Sequence, residues 1–242
     1  GAAMANSGRI VGAGTLRSGA ISNTNQIAFS FGASSIATPI TNQAGAKLIV
    51  SNGAQATFAG TVANAGELRV SAGGAANFFG LVSGAGSFTG TGQARFEGGF
   101  SPGASPALVT IHFDVFYGSD SPILMELGGT TPGNCDTCSD KIIFAGTTTL
   151  EGGPLNVVWW NGYRGKAGDT FDLFDFKADG LTGSFGTVNL PTLEAGLLWR
   201  TDKLYTDGSL SVAAVPEPGT WAMMLLGGAA LLTLRRRTVR RH

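Results

Sequence analysis

Histidine and cysteine are what this sequence has least of, and charge is sparse. Its 242 residues hold two histidines, the isolated His112 and the terminal His242, and two cysteines, Cys135 and Cys138 in the stretch NCDTC. Two thiolates do not close a structural zinc site, which takes four ligands, and no thioredoxin-like strand and helix pattern surrounds the pair. In an oxidising compartment a small loop disulfide is the expected state of Cys135 and Cys138; free thiols in a loop are the alternative. Charged residues are 13% of the chain, and there is no Asp before Asp114. No basic stripe interleaved with aromatics occurs, so nucleic acid is not an expected partner. The opening stretch GAAMANSGRIVGAG has no basic segment followed by an apolar one. We therefore expect the chain to begin after a processing site or at an artificial boundary, and the missing export signal carries no argument for the cytoplasm.

What is abundant is glycine, 38 residues, with Ser, Thr and Asn at most polar positions. That mixture suits short strands joined by tight turns, since glycine accepts positive φ at corners and Thr, Val and Phe fit pleated surfaces. Helix formers are scarce before residue 215. The zero net charge is unevenly built: five basic and two acidic residues over 1–100, six basic and thirteen acidic over 107–214, and five arginines with Glu217 in the tail.

An internal repeat organises the first part. NQAGAKLIVSNGAQATFAGTV (42–62) aligns with NAGELRVSAGGAANFFGLV (64–82) at an offset of 20, pairing Leu48 with Leu68, Val50 with Val70, Ala56 with Ala76, Phe58 with Phe78 and Val62 with Val82. GAGSFTGTGQARFEGGF continues the pattern, with Phe88 in the place of Leu68 and Phe96 in that of Phe78. A period near 20 with alternating apolar residues and glycines at the corners predicts a stacked solenoid whose core is made between coils. Residues 27–40 read as a degenerate leading coil. The two X-Pro steps of FSPGASPA predict an end to regular pairing over 101–107. Beyond it, short strand candidates spaced by Gly, Asp and Pro predict an antiparallel sandwich or a broadened cap that closes the solenoid.

Parallel β-helices also carry carbohydrate-cleaving sites, which need clustered carboxylates or basic residues. The repeats offer only Lys47, Glu67, Arg69, Arg95 and Glu97, where a solvated ion pair is the expected role. His112 and Asp114 could share one strand face, yet no nucleophile motif follows. Asp169, Asp172, Asp175 and Asp179 lack the EF-hand order. Trp159 and Trp160 could stack on sugars, although buried aromatics are the commoner explanation. No catalytic residue, metal or cofactor is expected.

The tail differs from all of this. Val215, Pro216, Glu217 and Pro218 precede the apolar run Trp221 to Leu234, and Arg235, Arg236 and Arg237 follow it. Apolar all round, the run has no polar face for a globular helix. At 14 residues it falls short of the roughly 20 that span a bilayer, so it would thin the membrane or let its arginines snorkel. The arginines place the C-terminus in the cytoplasm and the body outside. A removable sorting tag, a permanent anchor and a buried core helix are the three readings.

This stretch resembles the PEP-CTERM sorting signal of Gram-negative, often biofilm-forming bacteria. The body, through SPGASPA (101–107), DKIIFAGTTTLEGGPLNVVWWNGY (140–163), GDTFDLFDF (168–176) and SFGTVNLPTLEAGLLW (184–199), resembles autotransporter-like β-helical proteins that carry it. NCDTC departs from that pattern as a local insertion. The resemblance implies export, transient membrane insertion of the tail, and cleavage near Pro216 to Pro218 by a membrane enzyme called exosortase. The expected fold is all-β: a right-handed parallel β-helix over 1–100, a link over 101–107, a β-sandwich-like region over 108–214, and one short transmembrane helix within 215–242. The expected role is that of a non-enzymatic, adhesin-like component of the cell surface or extracellular matrix. The alternative is a carbohydrate-binding or carbohydrate-cleaving protein, with exopolysaccharide as partner.

Overall fold

A computed structural model describes residues 1–103 and 106–216, and over these the chain forms strands, turns and bends with no helix. The strands stack in parallel on three faces. One face runs Ile21–Asn23, Ile40–Asn42, Val62–Asn64, Val82–Ser83, Phe100–Ser101, Ile123–Leu127, Pro154–Trp159, Thr187–Asn189. The second runs Lys47–Ser51, Glu67–Val70, Ser87–Thr89, Leu108–Ile111, Lys141–Phe144, Phe174–Phe176, and the third Gln55–Phe58, Ala75–Phe78, Gln93–Phe96, Asp114–Tyr117, Thr148–Glu151, Leu181–Ser184. The long strand Gln26–Ile36 serves both of the latter faces, bending at Phe31 and Gly32, both at positive φ. Each circuit of the chain adds a rung to every face, the architecture of a β-helix.

Period-2 burial drives this. Leu48 and Val50 point inward while Lys47 is exposed, and Ala56 and Phe58 repeat the alternation on the next face. The registers pair Leu48 with Leu68 and Leu68 with Phe88, Phe58 with Phe78 and Phe78 with Phe96. Phe58, Phe78, Phe96 and Tyr117 form a stacked column, with ring centroids 4.8, 5.3 and 5.1 Å apart. Full burial of each such ring contributes about 1.5–3 kcal/mol. Residues 27–40 form a coil, Ile27 pairing with Leu48 and Ile40 with Val62, but not the leading one: Met4–Asn6 stacks on Ile21–Asn23 and Arg9–Leu16 on Gln26–Ile36 as a coil before it.

Two further devices hold the corners. Asn6, Asn23, Asn42 and Asn64 form a buried ladder, each amide donating to the next Oδ1 at 2.7–2.8 Å. The same amides donate to main-chain carbonyls of Gln26, Lys47, Glu67 and Ser87. At the opposite corner the coils touch so closely that a Cβ on Gly80 would stand 2.4 Å from the Gly60 carbonyl carbon, so only glycine fits.

The expected ending at 101–107 and the sandwich-like region beyond it are corrected by the structure. Parallel pairing continues through Leu108–Ile111 and Lys141–Phe144 to Thr187–Asn189. Pro102 and Pro106 sit in a corner between two faces, outside both adjoining strands, where a missing N–H costs no ladder bond. Among the described residues, antiparallel pairing of strands occurs in a cap in which the strand Ser209–Ala214 lies between Thr170–Asp172 and Leu197–Arg200, and a single antiparallel bridge joins Leu127 to Ser139. Buried Phe171, Leu204 and Leu210 join this cap to the core, and the Tyr205 hydroxyl accepts the N–H of Phe185 at 3.0 Å. The predicted transmembrane helix over Trp221 to Leu234, the flanking Arg235, Arg236 and Arg237, and Glu217 and Pro218 lie outside the described residues.

Candidate functional site

The C-terminal exit is built by the cap. Leu210 and Val212 of the last strand are buried, exposure then rises, and Val215 and Pro216 are exposed. Pairing with Leu197–Arg200 runs to Ala214 opposite Leu197, and the N–H of Val215 donates to the Gly196 carbonyl at 2.8 Å. Pro216 is the next residue, so the Pro-Glu-Pro stretch begins directly after the last main-chain hydrogen bond among the described residues.

The two tryptophans considered for sugar stacking occupy different surroundings. Trp159 is half-buried in the cap, stacked on Trp199 at 5.5 Å with Tyr163 and Phe171 beside it, and its indole N–H donates to the Thr192 carbonyl. Trp160 belongs to the other side, near Gly128 and the NCDTC excursion, with its indole N–H buried and unpartnered. Adjacent positions at a strand end diverge, and the two rings do not form one platform.

Cys135 and Cys138 are joined by a disulfide, with Cα atoms 5.1 Å apart. Their loop has a structural task that residue types alone did not signal. Asn134 Oδ1 accepts the N–H of Leu108, and the buried Asp140 carboxylate accepts those of Ala107 and Glu126 at 2.6 and 2.7 Å, tying the start of one coil to the next. Burial pushes the Asp140 carboxyl up to about 7 against the pull of these two amides, and Glu126 beside it adds to the rise. Burial also raises Glu126, whose Oε2 is unpartnered.

The remaining candidates are engaged locally. His112 is exposed at a corner, while the Asp114 carboxylate accepts the N–H of Thr147 at 2.7 Å. Glu67 lies 3.2 Å from Arg69 and 3.9 Å from Lys47 on the outer surface. Arg95 is held by Glu97 and, in a two-pronged pair, by Glu151, which raises the guanidinium and lowers the Glu151 carboxyl. Asp169 accepts from the Tyr163 hydroxyl and the Lys166 N–H, and burial followed by that hydrogen bond pushes Tyr163 up to about 12. A cleft of about 450 Å³ lies beside the cap, where Asp172 pairs with Lys141 and Asp207 accepts from Ser209. Among the described residues no group of three or more His, Cys, Asp or Glu side chains is placed to hold a metal ion.

Residues 214–241 match the PEP-CTERM protein-sorting motif. No curated protein matches the chain. The motif marks an exported protein that exosortase, a membrane enzyme, sorts through the cell envelope to the surface. It covers the tail and leaves the body to be interpreted from its own geometry.

Proposed function

We propose that this chain is a non-enzymatic surface or matrix protein of a Gram-negative bacterium, in which the β-helical body is the cargo and residues 215–242 are the address. The observation that carries this reading is the sorting motif at 214–241, placed directly after the cap of a continuous β-stack. In this reading the run Trp221 to Leu234 enters the inner membrane with Arg235 to Arg237 on the cytoplasmic side. The body is then a tethered intermediate outside the membrane until exosortase cuts near Pro216 to Pro218. The run's shortness suits a brief stay in the bilayer better than permanent anchoring.

The body's chemistry supports a structural, adhesin-like role. Asp114, Asp140 and Asp169 hold main-chain amides, Arg95 ties its own strand to Glu151 two rungs along the same face, and Trp159 packs in the cap. A stack of coils joined rung to rung by main-chain pairing suits a component of a biofilm matrix in contact with exopolysaccharide. Fractionation of cells with and without exosortase tests the proposal. The protein should be found at the surface or in the matrix when the enzyme is present and in the membrane fraction when it is absent. The same distribution in both strains would overturn it.

A further inference from the structure

The folded cap reaches to within one residue of Pro216, and this spacing has a consequence for processing. Membrane enzymes that cut peptides generally hold several residues on each side of the scissile bond in an extended cleft, where main-chain groups of the substrate must be free to pair with the enzyme. On the body side of the motif those residues are Ala213, Ala214 and Val215. Ala213 pairs with Leu198 and the Val215 N–H donates to Gly196, with Ala214 held between them opposite Leu197 in the non-hydrogen-bonded position.

The last strand falls into two parts. Ser209–Val212 pairs with Asp169–Asp172, Ser211 and Val212 are flanked on their other side by Arg200 and Trp199, and this part holds the buried Leu210 and Val212. Beyond Val212 the pairing is one-sided and Ala214 and Val215 are exposed. Such an end opens at far lower cost than the core behind it.

We infer that the cap gates processing: the end of the last strand, Ala213 to Val215, must unpair from Gly196 to Leu198 before the Pro-Glu-Pro stretch can enter exosortase. This rests on the sorting reading above. The gate couples release to folding geometry, because the stability of this short pairing sets how much of the chain is presented for cleavage.

Two variants of the full chain, expressed in cells that contain exosortase, test the gate through the rate of tail loss followed by mass. In the first, a flexible Gly-Ser spacer of about ten residues between Val215 and Pro216 should speed cleavage by roughly tenfold, the cost of opening one or two main-chain hydrogen bonds. In the second, Leu197→Cys with Ala214→Cys places two thiols at directly opposed positions. The Val215 to Gly196 bond lies just outside this pair, making it the non-hydrogen-bonded kind with close Cα atoms, suited to a cross-strand disulfide. The oxidised form should be cut at least tenfold more slowly, and reduction should restore the rate. Equal rates for wild type and the spacer variant would overturn the gate while leaving the sorting reading intact. Retention of the tail in every variant, the spacer form included, would overturn the sorting reading and the gate with it.

Discussion

The coils from Ile27 to Phe100 and those from Leu108 to Asn189 use the same three faces, but they reach that geometry by different routes. In the first set partners are about 20 residues apart, Leu48 with Leu68 and Phe58 with Phe78. In the second, Ile111 pairs with Phe144 and Tyr117 with Leu150, each 33 residues on, because excursions such as the NCDTC loop leave the stack between rungs. Buried polar groups differ as well. The first set buries neutral asparagines in a ladder, whereas the second buries the carboxyls of Asp140 and Glu126. A parallel stack therefore requires inward alternation at each face, and neither a constant coil length nor a repeated sequence is needed.

The sharpest way to break the first set is Phe78→Asp, which puts an unpaired carboxylate into the aromatic column. A loss of about 4 kcal/mol or more is expected, and it should spread to neighbouring coils because stability in such arrays is shared. Hydrogen exchange should show lost protection from Phe58 to Phe96 before the cap responds. Asn42→Ala removes the central rung of the ladder and leaves Asn23, Asn64 and the Glu67 carbonyl short of partners. About 3 kcal/mol of destabilisation in a denaturant titration is the expected result.

The second set should be the pH-sensitive one. The Asp140 carboxyl rises from an ordinary 3.8 to about 7 on folding, so the folded state binds this proton more tightly than the unfolded state does. Its stabilisation is full below about pH 4 and is lost as the pH rises to about 7. The decline should be visible in midpoints measured at pH 4 and pH 8. Asp140→Asn should flatten it, with Glu126, raised in the same direction, sustaining a residual slope. The smallest effect is expected at the junction of the two sets. The Tyr117 hydroxyl is buried and unpartnered in the column, so Tyr117→Phe should stabilise the body by about 1 kcal/mol in the same titration.

The same contrast explains what could be read in advance. Leu48, Phe58, Phe78 and Phe96 lie at near-constant spacing, and their inward stacking was legible from alternation alone. The asparagine ladder was hidden by that offset of 20, which sets Asn42 against Val62, whereas the corner shortens by two residues and brings Asn42 to Asn64. Past residue 107 the excursions erase the period, so strands that pair in parallel read as a sandwich. Asp140 follows a loop and looks like a surface acid; only its position between two coils shows that it holds their amides. Trp159 and Trp160 are neighbours in sequence, and the strand end sends them apart. The sorting tail was legible because its three parts occur in order, with no need of a fold.

The central claim is that the body is delivered by a tail it then loses. The intact mass of the protein recovered from outside the cells tests this most directly. The account predicts a species that ends close to Pro216 and lacks the apolar run and the arginines. A full-length species extracted from the membrane, still carrying Arg235 to His242, would contradict it.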